Sequence, residues 1–136
     1  MSDVHVKLRV GAEAYALPIE NVLEVAELGD LAAVPGAGPA VLGVRNLHGQ
    51  VLPVFDLARV LGIARDGRPP CVVVAEQHGR LAGLAVDEVT DVAPLAADVE
   101  EAETEFLRCA VLEEDRLVGV VDVERVFAAL AREAAA

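Results

Sequence analysis

Leu17-Pro18-Ile19-Glu20-Asn21-Val22-Leu23-Glu24-Val25 recurs as Leu84-Ala85-Val86-Asp87-Glu88-Val89-Thr90-Asp91-Val92, 67 positions later. Further along, Val54-Phe55-Asp56-Leu57-Ala58-Arg59-Val60-Leu61 returns as Val120-Val121-Asp122-Val123-Glu124-Arg125-Val126-Phe127, at an offset of 66. The units keep their order, and apolar, acidic and basic positions coincide. A chain of 136 residues is therefore two similar halves, with pseudo-repeats at about 6–61 and 72–127. Either half alone is too short to bury an adequate core, so the halves are expected to pack on each other within a single domain over residues 4–130, with exchange of strands between them left open.

Working outward from the repeat, the local patterns are those of strands. His5-Val6-Lys7-Leu8-Arg9-Val10 alternates polar and apolar residues, Gly11 marks a turn, and residues 13–17 continue as a partner strand. Pro18 interrupts ladder pairing, and a further strand is expected over Val22–Leu28. Ala33–Pro39, with two Pro and two Gly, reads as a loop. Val41–Val44 and Val51–Phe55 read as strands joined by a turn at Asn46–Gln50, the second bulged or at an edge because Pro53 cannot donate to a ladder. Asp56 is placed to cap a short helix over Leu57–Leu61. After a loop at Arg65–Pro70, Cys71–Val74 and Leu81–Val86 copy the first hairpin. Leu107–Leu112 and Leu117–Val121 flank a turn at Glu113–Asp115. Asp122 then caps a C-terminal helix with an apolar stripe at Val123, Val126, Phe127 and Leu130. About five strands per repeat, with short turns and little helix, predict an all-β fold of two small five-stranded barrels related by a pseudo-two-fold axis, plus the C-terminal helix.

Composition narrows the function. Apolar residues make up 54% of the chain but aromatic residues only 3%, so the core is built from Val, Leu, Ile and Ala. The longest uncharged apolar run, Leu31–Val44, is shorter than a bilayer span and broken by prolines and glycines. The N-terminal residues lack the pattern of a signal peptide, and Cys71 and Cys109 do not make a disulfide framework. A cytoplasmic chain without membrane insertion is the expectation. Residues 1–68 carry 6 basic and 8 acidic side chains, residues 69–136 carry 5 and 15, so the second half holds −10 of the net −12. Such a surface disfavours nucleic acid. The run Asp98–Glu105, five acids in eight residues, reads as a solvated segment.

No catalytic or metal constellation emerges, and no cofactor is expected. Asp56 and Asp122 are repeat-equivalent and raise the thought of a small aspartic-type hydrolase. They are followed by Leu57 and Val123, where a proton-sharing dyad wants small residues. Helix caps with Arg59 and Arg125 as ion-pair partners three residues on explain them more simply. His5, His48 and His78 lack metal-ligand spacing, and neither Thr90 nor Thr104 sits in a glycine elbow. What remains is surface: the turn at Arg45-Asn46-Leu47-His48-Gly49 is basic, while its counterpart at Glu113-Glu114-Asp115 is acidic.

Gly43-Val44-Arg45-Asn46-Leu47-His48-Gly49-Gln50-Val51-Leu52-Pro53-Val54-Phe55-Asp56-Leu57 resembles the signature of the CheW-like domain, the bacterial chemotaxis coupling proteins. Tyr15-Ala16-Leu17-Pro18-Ile19 with Val22 and Val25, and the stretch Gly83–Val92, agree with it, so the likeness covers nearly the whole chain. The resemblance implies two SH3-like barrels and a non-enzymatic adaptor. Its partners would be the cytoplasmic tip of a methyl-accepting chemoreceptor and the regulatory domain of a CheA-type histidine kinase. Val22, Val25, Cys71 and Val89 would line a receptor groove between the lobes. Glu24, Arg45, Asn46, Leu47, His48 and Gly49 would form the kinase contact. The chain departs from the family in placing His48 where the turn has Arg, and in lacking a glycine near Cys109. These departures leave room for an accessory protein that binds one partner or self-associates.

Overall fold

The computed structural model describes residues 3–95, 99–100 and 103–135, so residues 98, 101 and 102 of the acidic run lie outside the described residues. The chain begins with the hairpin β1 (Val4–Val10) and β2 (Glu13–Pro18), makes a 3₁₀ turn at Ile19–Asn21, and enters β3 (Val22–Glu27). The hairpin β4 (Val41–Leu47) and β5 (Gln50–Asp56) leads into the short helix α1 (Leu57–Leu61). The second half follows the same order: β6 (Cys71–Gln77), β7 (Arg80–Val86), β8 (Glu88–Pro94), the two-residue β9 (Val99–Glu100), β10 (Leu107–Glu113), β11 (Arg116–Val121) and α2 (Val123–Ala135).

One sheet has the strand order β3-β6-β7-β5-β4, the other β8-β1-β2-β11-β10-β9. Substituting each strand by its repeat counterpart turns the first order into the second, apart from β9. The parallel pairings agree as well, with Val54 opposite Gly83 in one sheet and Val120 opposite Ala16 in the other. Each sheet takes its β1β2-type hairpin from the opposite half of the sequence. Neither half forms its sheet from its own strands.

The central core lies between the sheets and draws on both: Leu8 and Leu17 from one, Phe55, Val73 and Leu84 from the other. The stripe Val123, Val126, Phe127 and Leu130 of α2 is buried in it. A second core, centred on Leu52, Val54, Val72 and Val74, fills the five-stranded barrel. That barrel is closed by a bridge between Ala32 and Val44, whose N–H groups each donate to the other's carbonyl at 2.8 and 2.9 Å.

Both helices start as the caps require. The Asp56 carboxylate accepts from the Ala58 N–H at 3.1 Å, and Asp122 accepts from the Arg125 N–H at 3.1 Å. α1 stops after five residues at Gly62, which adopts φ 73°.

Three local expectations are corrected. Asp56 pairs with Arg65, 3.6 Å away, and not with Arg59, because the loop after α1 folds back over the cap. Arg125 does pair with Asp122, at 3.5 Å. Pro53 lies on an interior strand, and the bulge of that hairpin falls on β4 between Val41 and Gly43. β5 meets β7 only from Val54 onward, so Pro53 precedes that ladder. The β4–β5 turn is the two residues His48-Gly49, both at positive φ (49° and 86°), shorter than the expected Asn46–Gln50. Paired positive φ values match the twist of the flanking strands and close a hairpin in two residues.

Candidate functional site

The two edge strands that border the central core, β3 and β8, are repeat counterparts, and each is bulged at the same place. In β3 the register shifts between Val22 and Glu24, opposite β6. In β8 it shifts around Thr90, opposite Lys7 and Leu8 of β1. A bulge adds one residue and rotates the strand, so side chains three apart share a face. Val22 pairs with Ala75 and Val25 with Val73, which puts both valines on the core face of the sheet. Cys71 lies two residues from Val73 on that face. In the other sheet Val89 pairs with Leu8 and Val92 with Val6.

Val22, Cys71 and Val89 all pack against the one inter-sheet core. Val25 and Val92 stand beyond it, 43% and 51% exposed. The arrangement is an apolar margin with anchored residues inside and exposed valines outside. Val92 was missed in the sequence, although the offset of 67 from Val25 pointed to it.

The second set gathers at the end of the closed barrel. Glu24 on β3 meets His48 at the β4–β5 turn, with Nε2 3.2 Å from the carboxylate. Asn46 Oδ1 accepts from the Gly49 N–H at 3.0 Å and fixes the turn. Leu47 is turned inward against the barrel core. Arg45 is engaged elsewhere: its guanidinium donates to the carbonyls of Glu27 (2.8 Å) and Leu28 (3.2 Å) where β3 ends. It ties one edge of the barrel to the other and does not point off the tip. The turn therefore presents Asn46, His48 and Gly49, with Glu24 beside them.

A match to the CheW-like domain covers residues 5–131. The chain belongs to the CheW-like domain family. A chemotaxis protein CheW of Rhizobium meliloti is 31% identical to it, over 96% of this chain and 90% of that protein. Protein FrzA of Myxococcus xanthus is 40% identical over a shorter stretch, 60% of this chain and 52% of that protein. The crystal structure of scaffolding protein TtCheW from Thermoanaerobacter tengcongensis superposes with a TM-score of 0.84 at 26% identity, covering 93% of each chain. The double-barrel, all-β architecture expected from the repeat is thus the fold of this family. These proteins carry the names of chemotaxis and scaffolding proteins, not of enzymes.

The acids that suggested hydrolysis agree with a CheW-like scaffold. Asp56 ends β5 and Asp122 follows β11, strands of different sheets, and each is engaged by its own helix cap and an arginine. Among the described residues no group of three His, Cys, Asp or Glu side chains could hold a metal, and no helix is long and apolar enough to cross a membrane.

Proposed function

We propose that this chain is a coupling scaffold of a bacterial chemosensory system. It joins the cytoplasmic tip of a methyl-accepting chemoreceptor to the regulatory domain of a CheA-type histidine kinase. It does so in the cytoplasm, near the membrane only through the receptor. The observation that carries the reading is the pair of equivalently bulged edge strands, which leave Val25 and Val92 exposed beside the anchored Val22, Cys71 and Val89. An amphipathic helix binds by laying apolar residues into such a margin. The kinase contact is assigned to the tip made by Glu24, Asn46, Leu47, His48 and Gly49, with Arg45 holding the tip in place.

Val25 tests the receptor assignment more cleanly than Val22, whose side chain is packed against the core. Val25→Lys should weaken capture of a receptor-tip fragment by about 10–100-fold, the cost of a desolvated charge at a contact centre, with unchanged thermal stability. Undiminished pull-down of the fragment by this variant removes the groove assignment.

A narrower reading, binding of only one partner, is favoured by His48. Its ring is 3.2 Å from Glu24, and it lacks the permanent charge and forked donors of an arginine. His48→Arg should strengthen binding of the kinase regulatory domain if the narrower reading holds. Strong kinase binding by the native chain, unimproved by the substitution, supports the full coupler.

A further inference from the structure

The two barrels are alike in topology and unlike inside. The five-stranded barrel is tightly packed: a Cβ added at Gly83 would stand 2.9 Å from Val72 Cγ2 and 3.1 Å from Val54 Cγ2. Its counterpart in the other barrel is Ala16, where a methyl fits. Val72 and Val74 are replaced there by His5 and Lys7, and Leu42 and Leu47 by Arg108 and Glu113. Lys7 and Glu113 satisfy one another at 2.9 Å. His5 and Arg108 do not pair. They line an open pocket of about 530 Å³ together with Asp3, Cys109 and the apolar walls Leu95, Val99, Val111 and Val120, so one carboxylate and one guanidinium share the lining.

That volume lies within the range of about 300–1,000 Å³ found for small-molecule sites, which are typically apolar with a few convergent polar groups. Arg108 makes no hydrogen bond or ion pair among the described residues. His5 Nδ1–H donates to the Asp3 carbonyl at 2.6 Å, which leaves Nε2 as the ring nitrogen open to a ligand. An exposed arginine with no partner among the described residues, in place of the leucine that packs the sister barrel, is a side chain suited to an anion. A guanidinium matches carboxylate or phosphate equally well. The four aliphatic walls and the net charge of −12 favour a singly charged ligand with a hydrocarbon body over inorganic phosphate.

We propose that this pocket binds a small aliphatic monocarboxylate, its carboxylate on the Arg108 guanidinium and its hydrocarbon against Leu95, Val99, Val111 and Val120. The site is separate from the inter-sheet margin and does not depend on it. Cys109 reports occupancy, and Cys71, in β6 of the other sheet, serves as the internal control.

The test uses the full chain and hexanoate as the probe. Alkylation of each thiol by iodoacetamide is followed by mass spectrometry. With hexanoate at about ten times its Kd, alkylation of Cys109 should slow about tenfold, while Cys71 is unaffected. Protection should disappear in Arg108→Gln and in Arg108→Leu, which restores the packing residue of the sister barrel, and should persist in Arg116→Gln. Hexylammonium and inorganic phosphate should not protect. Absence of protection by hexanoate, protection that survives in Arg108→Gln, equal slowing of both thiols, or equal protection by phosphate overturns the proposal.

Discussion

At the scale of single residues, one cluster of charged groups joins three elements through pairings that local sequence rules assign elsewhere. Arg59 stands three residues after Asp56, a helical ion-pair spacing, yet the partner is Arg65 from the following loop. Arg65 also reaches Asp87, at 3.3 Å, and Asp87 accepts from the Gly11 N–H at 2.6 Å. One guanidinium thus links the end of β5, the turn of the β1–β2 hairpin and the β7–β8 junction. Burial opposes ionisation of Asp87, but the Gly11 N–H, the Arg65 guanidinium and the charge of Arg9 together hold its carboxyl below the ordinary 3.8. A carboxyl depressed in the folded state contributes stability above its unfolded pKa and loses it as pH falls through the folded value. Urea denaturation should therefore show stability declining as pH drops from about 4 downward, the ordinary carboxylate range. Asp87→Asn should cost about 1–3 kcal/mol at pH 7 and flatten that acid limb. An unchanged acid limb in the variant would place the effect on other carboxylates.

At the scale of elements, the hairpin turns show how the repeat has diverged. His48-Gly49 and His78-Gly79 close their hairpins with one non-glycine and one glycine at positive φ. The counterpart Glu114-Asp115 puts two acidic residues there, at φ 48° and 63°. Left-handed backbone is costly for residues with a Cβ, so this tip is strained. Replacing Glu114-Asp115 by Asn-Gly should stabilise the protein by about 1–2 kcal/mol, read as a shift of the urea midpoint at constant slope. Destabilisation would mean that the acids make contacts worth more than the strain.

Much at this scale was legible beforehand. The alternation in β1, the glycines at the turns and the capping acids Asp56 and Asp122 are local signals that survive folding. The bulges were not legible, because Leu23 and Thr90 carry no mark in the sequence and the register shift depends on the partner strand. For that reason Val25 and Val92 emerge as a pair only once the strands are aligned. The direction of Arg45 was likewise set by a distant element, the end of β3.

At the scale of the whole molecule, the offset repeat told which strands are alike but not which strands pair. Likeness is a property of sequence, whereas pairing is decided by the common core, where Leu8 and Leu17 meet Val73 and Leu84. The resulting exchange makes each sheet depend on both halves. A chain divided within the loop between α1 and β6, at Gly67-Arg68, should therefore yield two fragments that do not fold separately but co-purify and regain native circular dichroism when mixed. Independent folding of either fragment would contradict the exchanged topology. Exchange also brings β3 and β8 to corresponding borders of one core, which no single half could do. It is this symmetry that gives a two-sided apolar margin. The most direct measurement of that account is a titration of the isotope-labelled full chain with a chemoreceptor-tip hairpin, followed by amide chemical shifts. Perturbations should centre on Val22–Val25 and Val89–Val92 together. Shifts confined to the tips at residues 46–49 or 112–117, with both edge strands silent, would contradict it.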